Sequence, residues 1–330
     1  MNNRKVILVT GHAGFIGSHL TRKLLDLGFI VAGIDNYNDY YDPKIKQANV
    51  DRFRHHPNFK EFRLDILDQS SLKQCLAAVK PEVIIHLAAR AGVRPSLANP
   101  QLYRDVNVTG TKNLLDLAKK FKLKQFIFGS SSSVYGNQTK VPFSETDQLD
   151  PPVSPYAETK LAGEKLCQKS GLNTTVLRFF TVYGPGGRPD MAPYLFTRAI
   201  LDNQPIIRFG DGSTKRDYTF IDDIVTGIVA TIGKTWPFEI INLGNNQPVR
   251  LSNFIAAIET ITGKTAKIIE KPRHPADVPQ TFADIAKAQK LLDWRPKTDL
   301  TTGLKQFIGW YLKDTSLFPN NYLDNSLNNH

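Results

Sequence analysis

Through the first half of the chain, short runs of apolar and β-branched residues alternate with longer stretches whose apolar positions recur every three to four residues. The short runs predict strands at 6–10, 30–35, 59–63, 83–88, 126–130 and 174–179; the longer ones predict helices at 16–27, 70–79, 107–120 and 156–169. Strands separated by helices are joined by crossovers, not hairpins, so the order implies a doubly wound parallel sheet, an α/β architecture. After residue 180 the rhythm changes. Gly184-Pro185-Gly186-Gly187 and Gly210-Asp211-Gly212 mark excursions from the sheet, a further strand is expected at 240–243, and helices at 251–262 and 286–292 suggest a smaller C-terminal α+β unit closing a cleft over the strand ends. The Asn-rich stretch 320–330 reads as a frayed tail.

Composition narrows the class. With 330 residues and 41% hydrophobic content, the chain can bury one large or two modest cores. Forty-two basic against 31 acidic residues give a net charge of +11, which suits a polyanionic partner. The basic residues, among them Arg52, Lys60, Lys119, Lys124, Arg178 and Lys271, are scattered, and no aromatic RNA-reading motif accompanies them. A small anionic molecule is therefore expected, not nucleic acid. The apolar run 7–10 stops at Gly11, and no run approaches the roughly 20 residues of a membrane span, so a cytoplasmic protein is expected. Cys75 and Cys167 have neither metal nor disulfide spacing and read as reduced packing residues. His12 reads as a turn residue and His19 and His86 as packing, and no metal site is expected.

The strand at 6–10 runs into Gly11-x-x-Gly14-x-x-Gly17 and then a helix opened by Phe15 and Ile16. Glycines there permit a tight turn and a close approach of backbone to a pyrophosphate at the helix N-terminus. Asp35 ends the next strand 18 residues after Gly17, where a carboxylate can accept hydrogen bonds from an adenosine ribose. Asp35 would repel a 2′-phosphate, and Asn36-Tyr37-Asn38-Asp39-Tyr40 offers no cation to bind one, so NAD is preferred to NADP. Asn36 and Asn38 join the expected cofactor set. Asp65 and Ile66 after the third strand could edge the adenine, and Leu87, Ala88 and Ala89 after the fourth could lie beside the cofactor, although strand-end packing accounts for both groups equally well. The implied organisation is a Rossmann-type NAD-binding domain over 1–181, with returning segments near 214–246, and a substrate-binding domain over 182–330.

Tyr156 and Lys160 follow Ser154-Pro155 and lie four residues apart, which on a helix puts phenol and ammonium on one face. A buried ammonium beside a phenol can lower its pKa and make it a base near neutral pH, so proton-abstraction chemistry is expected.

Taken together, the glycine motif, His86-Leu87-Ala88-Ala89, Asn107, Ser131 and Tyr156-x-x-x-Lys160 resemble the extended short-chain dehydrogenase/reductase family over nearly the whole chain. Within it, residues 35–42 (DNYNDYYD), Ala91-Gly92-Val93-Arg94, the stretch Ser130-Ser131-Ser132-Ser133-Val134-Tyr135-Gly136, residues 178–185 (RFFTVYGP) and Gly187-Arg188-Pro189-Asp190-Met191 are most similar to the UDP-glucuronate 4-epimerase group. The resemblance implies that Ser131 is the catalytic hydroxyl, Tyr156 the base and Lys160 the nicotinamide-ribose ligand. Asn107 is the helix residue whose backbone helps to position that lysine, and Arg216 is a diphosphate contact. Related dehydratases carry Asp-Glu, and decarboxylases Ser-Glu, where this chain has Ser132 and Ser133 before Val134, so the acid/base residues of those reactions are missing. Many epimerases have Arg-x-Gly-Asp where this chain reads His274-Pro275-Ala276-Asp277, which leaves the role of Asp277 in substrate binding and the identity of the base open.

The implied reaction oxidises C4 of the sugar transiently and returns the hydride to its other face. Ser132, Ser133, Thr181 and Arg188 are expected to hold the sugar carboxylate, and Arg94 to face the sugar or a phosphate, or else to make a salt bridge. The partner is a nucleotide sugar, and the helices at 107–120 and 156–169 are expected to pair with their copies in a homodimer. UDP-glucose/galactose or N-acetylated uronate epimerisation, uronate decarboxylation and a non-catalytic nucleotide- or RNA-binding scaffold stay open as alternatives.

Overall fold

The computed structural model describes residues 5–272 and 278–313. Its first half alternates strand and helix: β1 (Val6–Thr10), α1 (Phe15–Asp26), β2 (Ile30–Asp35), α2 (Pro43–Asp51), β3 (Phe59–Arg63), α3 (Gln69–Val79) and β4 (Val83–His86). There follow α4 (Val93–Ala98), α5 (Pro100–Arg104), a π-helical turn (Asp105–Thr109), α6 (Gly110–Lys120), β5 (Gln125–Ser131), a 3-10 turn (Ser132–Tyr135), α7 (Pro155–Lys169) and β6 (Thr174–Phe179). The second half contains β7 (Thr181–Tyr183), α8 (Ala192–Leu201), β8 (Pro205–Phe209), β9 (Lys215–Phe220), α9 (Ile221–Ala230), β10 (Phe238–Leu243), β11 (Pro248–Arg250), α10 (Leu251–Thr262), β12 (Lys267–Lys271), α11 (Ala286–Leu292) and α12 (Leu300–Lys313).

The main sheet has the order β10-β6-β5-β4-β1-β2-β3, and every pairing in it is parallel. This is the expected Rossmann-type architecture. Because side chains alternate across a strand, Ile7, Val9, Ile85, Ile127 and Leu177 feed one apolar layer while Leu8, Ile84, Phe126, Phe128 and Val176 feed the other. Strand order reverses between β1 and β4, and a ligand crevice opens there at the carboxyl ends of the strands.

Several expected boundaries move. Ladder pairing of β4 ends at His86 instead of 88, because Leu87 and Ala88 leave the sheet to pass against Gly11. The expected helix at 107–120 is the end of a longer helical run, and its first residues take the π form. Within 214–246, β10 joins the main sheet as an edge strand and α9 packs on α1, whereas β9 belongs to a three-stranded sheet with β7 and β11. The segments 274–277 and 320–330 lie outside the described residues, and with them Asp277 and the expected tail.

Candidate active site

A cleft of about 450 Å³ runs along the carboxyl ends of β1, β2, β4, β5 and β6. On one side lies the glycine turn. Gly11 adopts φ +75°, and a Cβ there would fall 2.8 Å from Ala88 N. A Cβ on Gly17 would fall 1.9 Å from the Gly11 carbonyl oxygen, so α1 approaches the turn as closely as backbone permits. Gly14 caps α1 in extended conformation. Asp35 is buried at the end of β2; its carboxylate accepts the Ala13 N–H at 3.3 Å and the Tyr37 N–H at 2.8 Å. This cradle of bare backbone with a carboxylate beyond it fits a dinucleotide.

The other expected cofactor residues converge on the same cleft: Phe15, Ile16, Asn36, Asn38, Asp65, Ile66, Leu87, Ala88 and Ala89 all line it. Asn36 Nδ2 donates to Asp65 Oδ2 at 2.8 Å and ties the β2 and β3 ends together. Among the lining residues that escaped the sequence reading, one carries a charge. Lys46, on α2, is buried with its ammonium on the Asn38 carbonyl at 2.9 Å, and it faces Asp35. The signal was there in retrospect: Lys46 falls among Ile45, Asn49 and Val50, the inward stripe of that helix.

Opposite the glycine turn stands the catalytic face. Ser154 Oγ accepts the Ala157 N–H at 3.2 Å and Pro155 supplies the first turn, so α7 starts just before Tyr156. Tyr156 and Lys160 then both face the cleft, along with Ser131, Ser132, Ser133, Thr181, Arg188 and Arg216. The Ser133 hydroxyl oxygen is buried without a hydrogen-bond partner, as expected of a group that awaits a ligand.

Several side chains of the site have partners that the sequence reading did not name. The Lys160 ammonium donates to the Gly129 carbonyl at 2.7 Å, because its stem reaches across to β5. Burial raises the Tyr156 pKa, and the opposing influences are a hydrogen bond with Ser131 and the Arg188 charge. Asn107 is held through its side chain. Its amide bonds to both Arg90 N and Arg90 O, and to Thr159 Oγ1 at 3.0 Å, the residue before Lys160. Its backbone carbonyl accepts the Thr111 hydroxyl at 2.6 Å, as helical spacing favours.

Arg188 was expected to present its guanidinium to a ligand, yet it is already paired. Nε and Nη2 contact Asp190 at 2.9 and 2.5 Å, and the group lies 5.3 Å over the Tyr40 ring, whose hydroxyl donates to Asp190 at 3.1 Å. Arg94 stacks 4.1 Å over the Phe209 ring and is not part of the main cleft wall. Phe209 belongs to a second cavity of about 260 Å³, also lined by Pro193, Phe196, Tyr218 and Leu251, that meets the cleft at Thr181, Met191 and Arg216. Arg216 thus stands at the junction, where an elongated ligand would pass.

The histidines divide. His86 is buried between Thr10 Oγ1 and Thr111 Oγ1 at 2.7 and 2.9 Å, and burial pushes it down to about 3. His12 is buried beneath β2 with Nε2 3.5 Å from Glu61, and His19 bonds the Pro185 carbonyl at 2.8 Å. Among the described residues no group of three His, Cys, Asp or Glu could hold a metal ion.

The family model described as GDP-mannose 4,6 dehydratase matches residues 8–307. A UDP-glucuronate 4-epimerase of Thermodesulfobacterium geofontis is 44% identical over 315 residues, covering 94% of this chain and 97% of the relative. Among solved structures, UDP-glucuronic acid 4-epimerase from Bacillus cereus in complex with UDP-glucuronic acid and NAD superposes with a TM-score of 0.88 at 38% identity, covering 93% of this chain and 99% of that one. UDP-glucose 4-epimerase from Thermotoga maritima with UDP-glucose gives a TM-score of 0.86 at 32% identity, covering 94% and 99%.

Proposed function

From the premise that the chain belongs to the GDP-mannose 4,6 dehydratase family of short-chain dehydrogenase/reductase-type enzymes, we infer that it is an NAD-dependent isomerase that inverts C4 of UDP-glucuronate and so produces UDP-galacturonate. The observation that carries the reading is the convergence of a phenol, a hydroxyl and a guanidinium on the cleft that the glycine turn and Asp35 open into. Bound NAD supplies a reversible hydride acceptor for C4, so the sugar passes through a transient 4-ketone.

Gly11, Gly14 and Gly17 would receive the diphosphate of the cofactor, Asp35 the adenosine ribose and Lys160 the nicotinamide ribose. Tyr156 removes the proton from the 4-hydroxyl, and Ser131 donates to the oxygen as charge develops on it. Arg188 stabilises the phenolate from across the cleft. A ketone at C4 makes the C5 carboxylate a β-keto acid, which loses carbon dioxide when its C–C bond aligns with the carbonyl π system. Ser132, Ser133, Thr181 and Arg188 can hold that carboxylate near the sugar plane, where cleavage is disfavoured. With Nε and Nη2 on Asp190, contact with the substrate falls to the other edge of the guanidinium. The uridine would extend past Arg216 into the second cavity.

Incubation of the purified chain with UDP-glucuronate and no added NAD, followed by chromatography, tests the reading. UDP-galacturonate is the expected product; a UDP-pentose with carbon dioxide would replace epimerisation by decarboxylation. Arg188→Ala is expected to lower kcat/KM on UDP-glucuronate about 10- to 100-fold beyond any loss on UDP-glucose, the value of one hydrogen bond to a charged group. Equal losses on the two sugars would remove the carboxylate role. By resemblance, α6 and α7 would pair with their copies in a homodimer, and activated galacturonate for surface polysaccharide would be a natural use of the product. The described residues contain no helix long and apolar enough to cross a membrane.

A further inference from the structure

Directly behind Lys160 stands a buried ion pair that the chemistry above does not use. Glu164 and Arg178 are 3% and 2% exposed, and they meet through Arg178 Nε–Oε1 at 3.0 Å and Nη2–Oε2 at 2.7 Å. Glu164 Oε1 also accepts the Ser130 hydroxyl at 2.6 Å, and the Arg178 guanidinium lies 4.7 Å over the Tyr135 ring. Desolvating two charges is costly, and an apolar pair of the same volume often stabilises a fold as well or better. Stability alone gives a weak account of why the pair is here.

Its connections give a better one. Glu164 lies one turn beyond Lys160 on α7, and Arg178 on β6 is the register partner of Ser130 on β5. Ser130 sits between Gly129, whose carbonyl receives the Lys160 ammonium, and Ser131. The pair therefore joins the three elements that carry or support the reacting side chains. We propose that Glu164, held by Arg178, is a positioning residue of the epimerase, which keeps Lys160 seated as an ammonium on β5 and fixes the strand end that presents Ser131. The proposal rests on the functional reading above.

The electrostatics agree with the geometry. Burial pushes Lys160 down to about 8, and Glu164 is the leading influence in the other direction, followed by Cys167. The other groups facing the ammonium are His86 from β4, neutral at ordinary pH, and Tyr156 on its own helix, with Arg178 beyond Glu164. A lysine is charged below its pKa, so removing the carboxylate charge lowers the pH at which the ammonium is lost. The alkaline limb of kcat must then move to lower pH.

Glu164→Gln keeps an acceptor for Ser130 and Arg178 Nε, removes the charge, and turns the acceptor of Arg178 Nη2 into a donor. It is expected to lower kcat about tenfold or more, to leave KM for UDP-glucuronate and bound NAD near wild type, and to move the alkaline limb down by about one pH unit. The double variant Glu164→Leu with Arg178→Met fills the same space without charge. A purely structural pair predicts wild-type kcat and pH profile in that double variant; the positioning role predicts the same loss and displaced limb as in Glu164→Gln. An undisplaced limb in either variant overturns the proposal. Wild-type enzyme assayed in parallel separates the two ideas, since a wild type that does not invert C4 would sink the epimerase reading itself.

Discussion

Tyr156→Phe should leave folded, NAD-loaded protein that turns over UDP-glucuronate about 10²- to 10⁴-fold more slowly, the range for losing a general base. The substitution removes one oxygen and keeps the ring, which packs edge-on against Tyr103 with centroids 6.3 Å apart. Cofactor binding should survive, because the glycine turn, Asp35 and the Lys160–Gly129 bond lie on other groups. Burial opposes ionisation of this phenol, and the Ser131 hydrogen bond and the Arg188 charge offset it. Ser131→Ala and Arg188→Ala should accordingly move the acid limb of kcat to higher pH, since each loss makes the phenol harder to ionise. Measuring kcat together with NAD released on denaturation checks the prediction. A Phe variant with a near-wild-type rate would mean that another group takes the proton.

Gly17→Ala should yield protein that purifies without NAD and is essentially inactive. The new methyl carbon would sit 1.9 Å from the Gly11 carbonyl oxygen, 2.7 Å from its carbon and 2.9 Å from His12 Cα, all backbone atoms of the turn that must meet the diphosphate. No side chain can rotate away to relieve this, so α1 has to shift, and α1 is packed against α9 and β2. Overpacking of this kind costs about 1–3 kcal/mol or more, visible as a Tm lowered by several degrees. Gly14→Ala supplies the comparison. Its Cβ would meet the Gly11 carbonyl oxygen at 3.3 Å in a conformation open to alanine, and the loss of NAD should be much smaller. Equal losses in the two would point to ligand contact, and not helix approach, as the reason for the motif.

How much of this was legible beforehand follows from the range of the interactions involved. The period-2 and period-3.6 patterns of the first half located β1, β2, β3 and β6 to the residue, because those patterns are imposed by which face of each element meets the core. Beyond residue 180, α8, α9 and α12 went unassigned. In α9 (IDDIVTGIVA) the buried positions Ile221, Asp223, Ile224, Val225, Gly227 and Ile228 surround most of the helix, so no polar face gives the periodicity away. The short strands β8 and β9 pair only in small separate sheets, which a local reading cannot anticipate.

Within the site, the chain by itself determined the residue types and their local geometry: the glycine turn, a carboxylate closing β2, and a tyrosine and a lysine one helical turn apart. These are properties of neighbours in sequence, fixed by backbone sterics and helix pitch. Tertiary structure decided which group each charge answers to. Lys160 donates to a carbonyl of β5, and Ser131 and Arg188 offset the burial of the phenol. Arg188 shares its charge with Asp190, Arg94 covers Phe209, and Lys46 reaches the cleft from α2. A long charged side chain settles wherever folding leaves a partner and the least exposed charge, and that partner is chosen by the packing of distant segments.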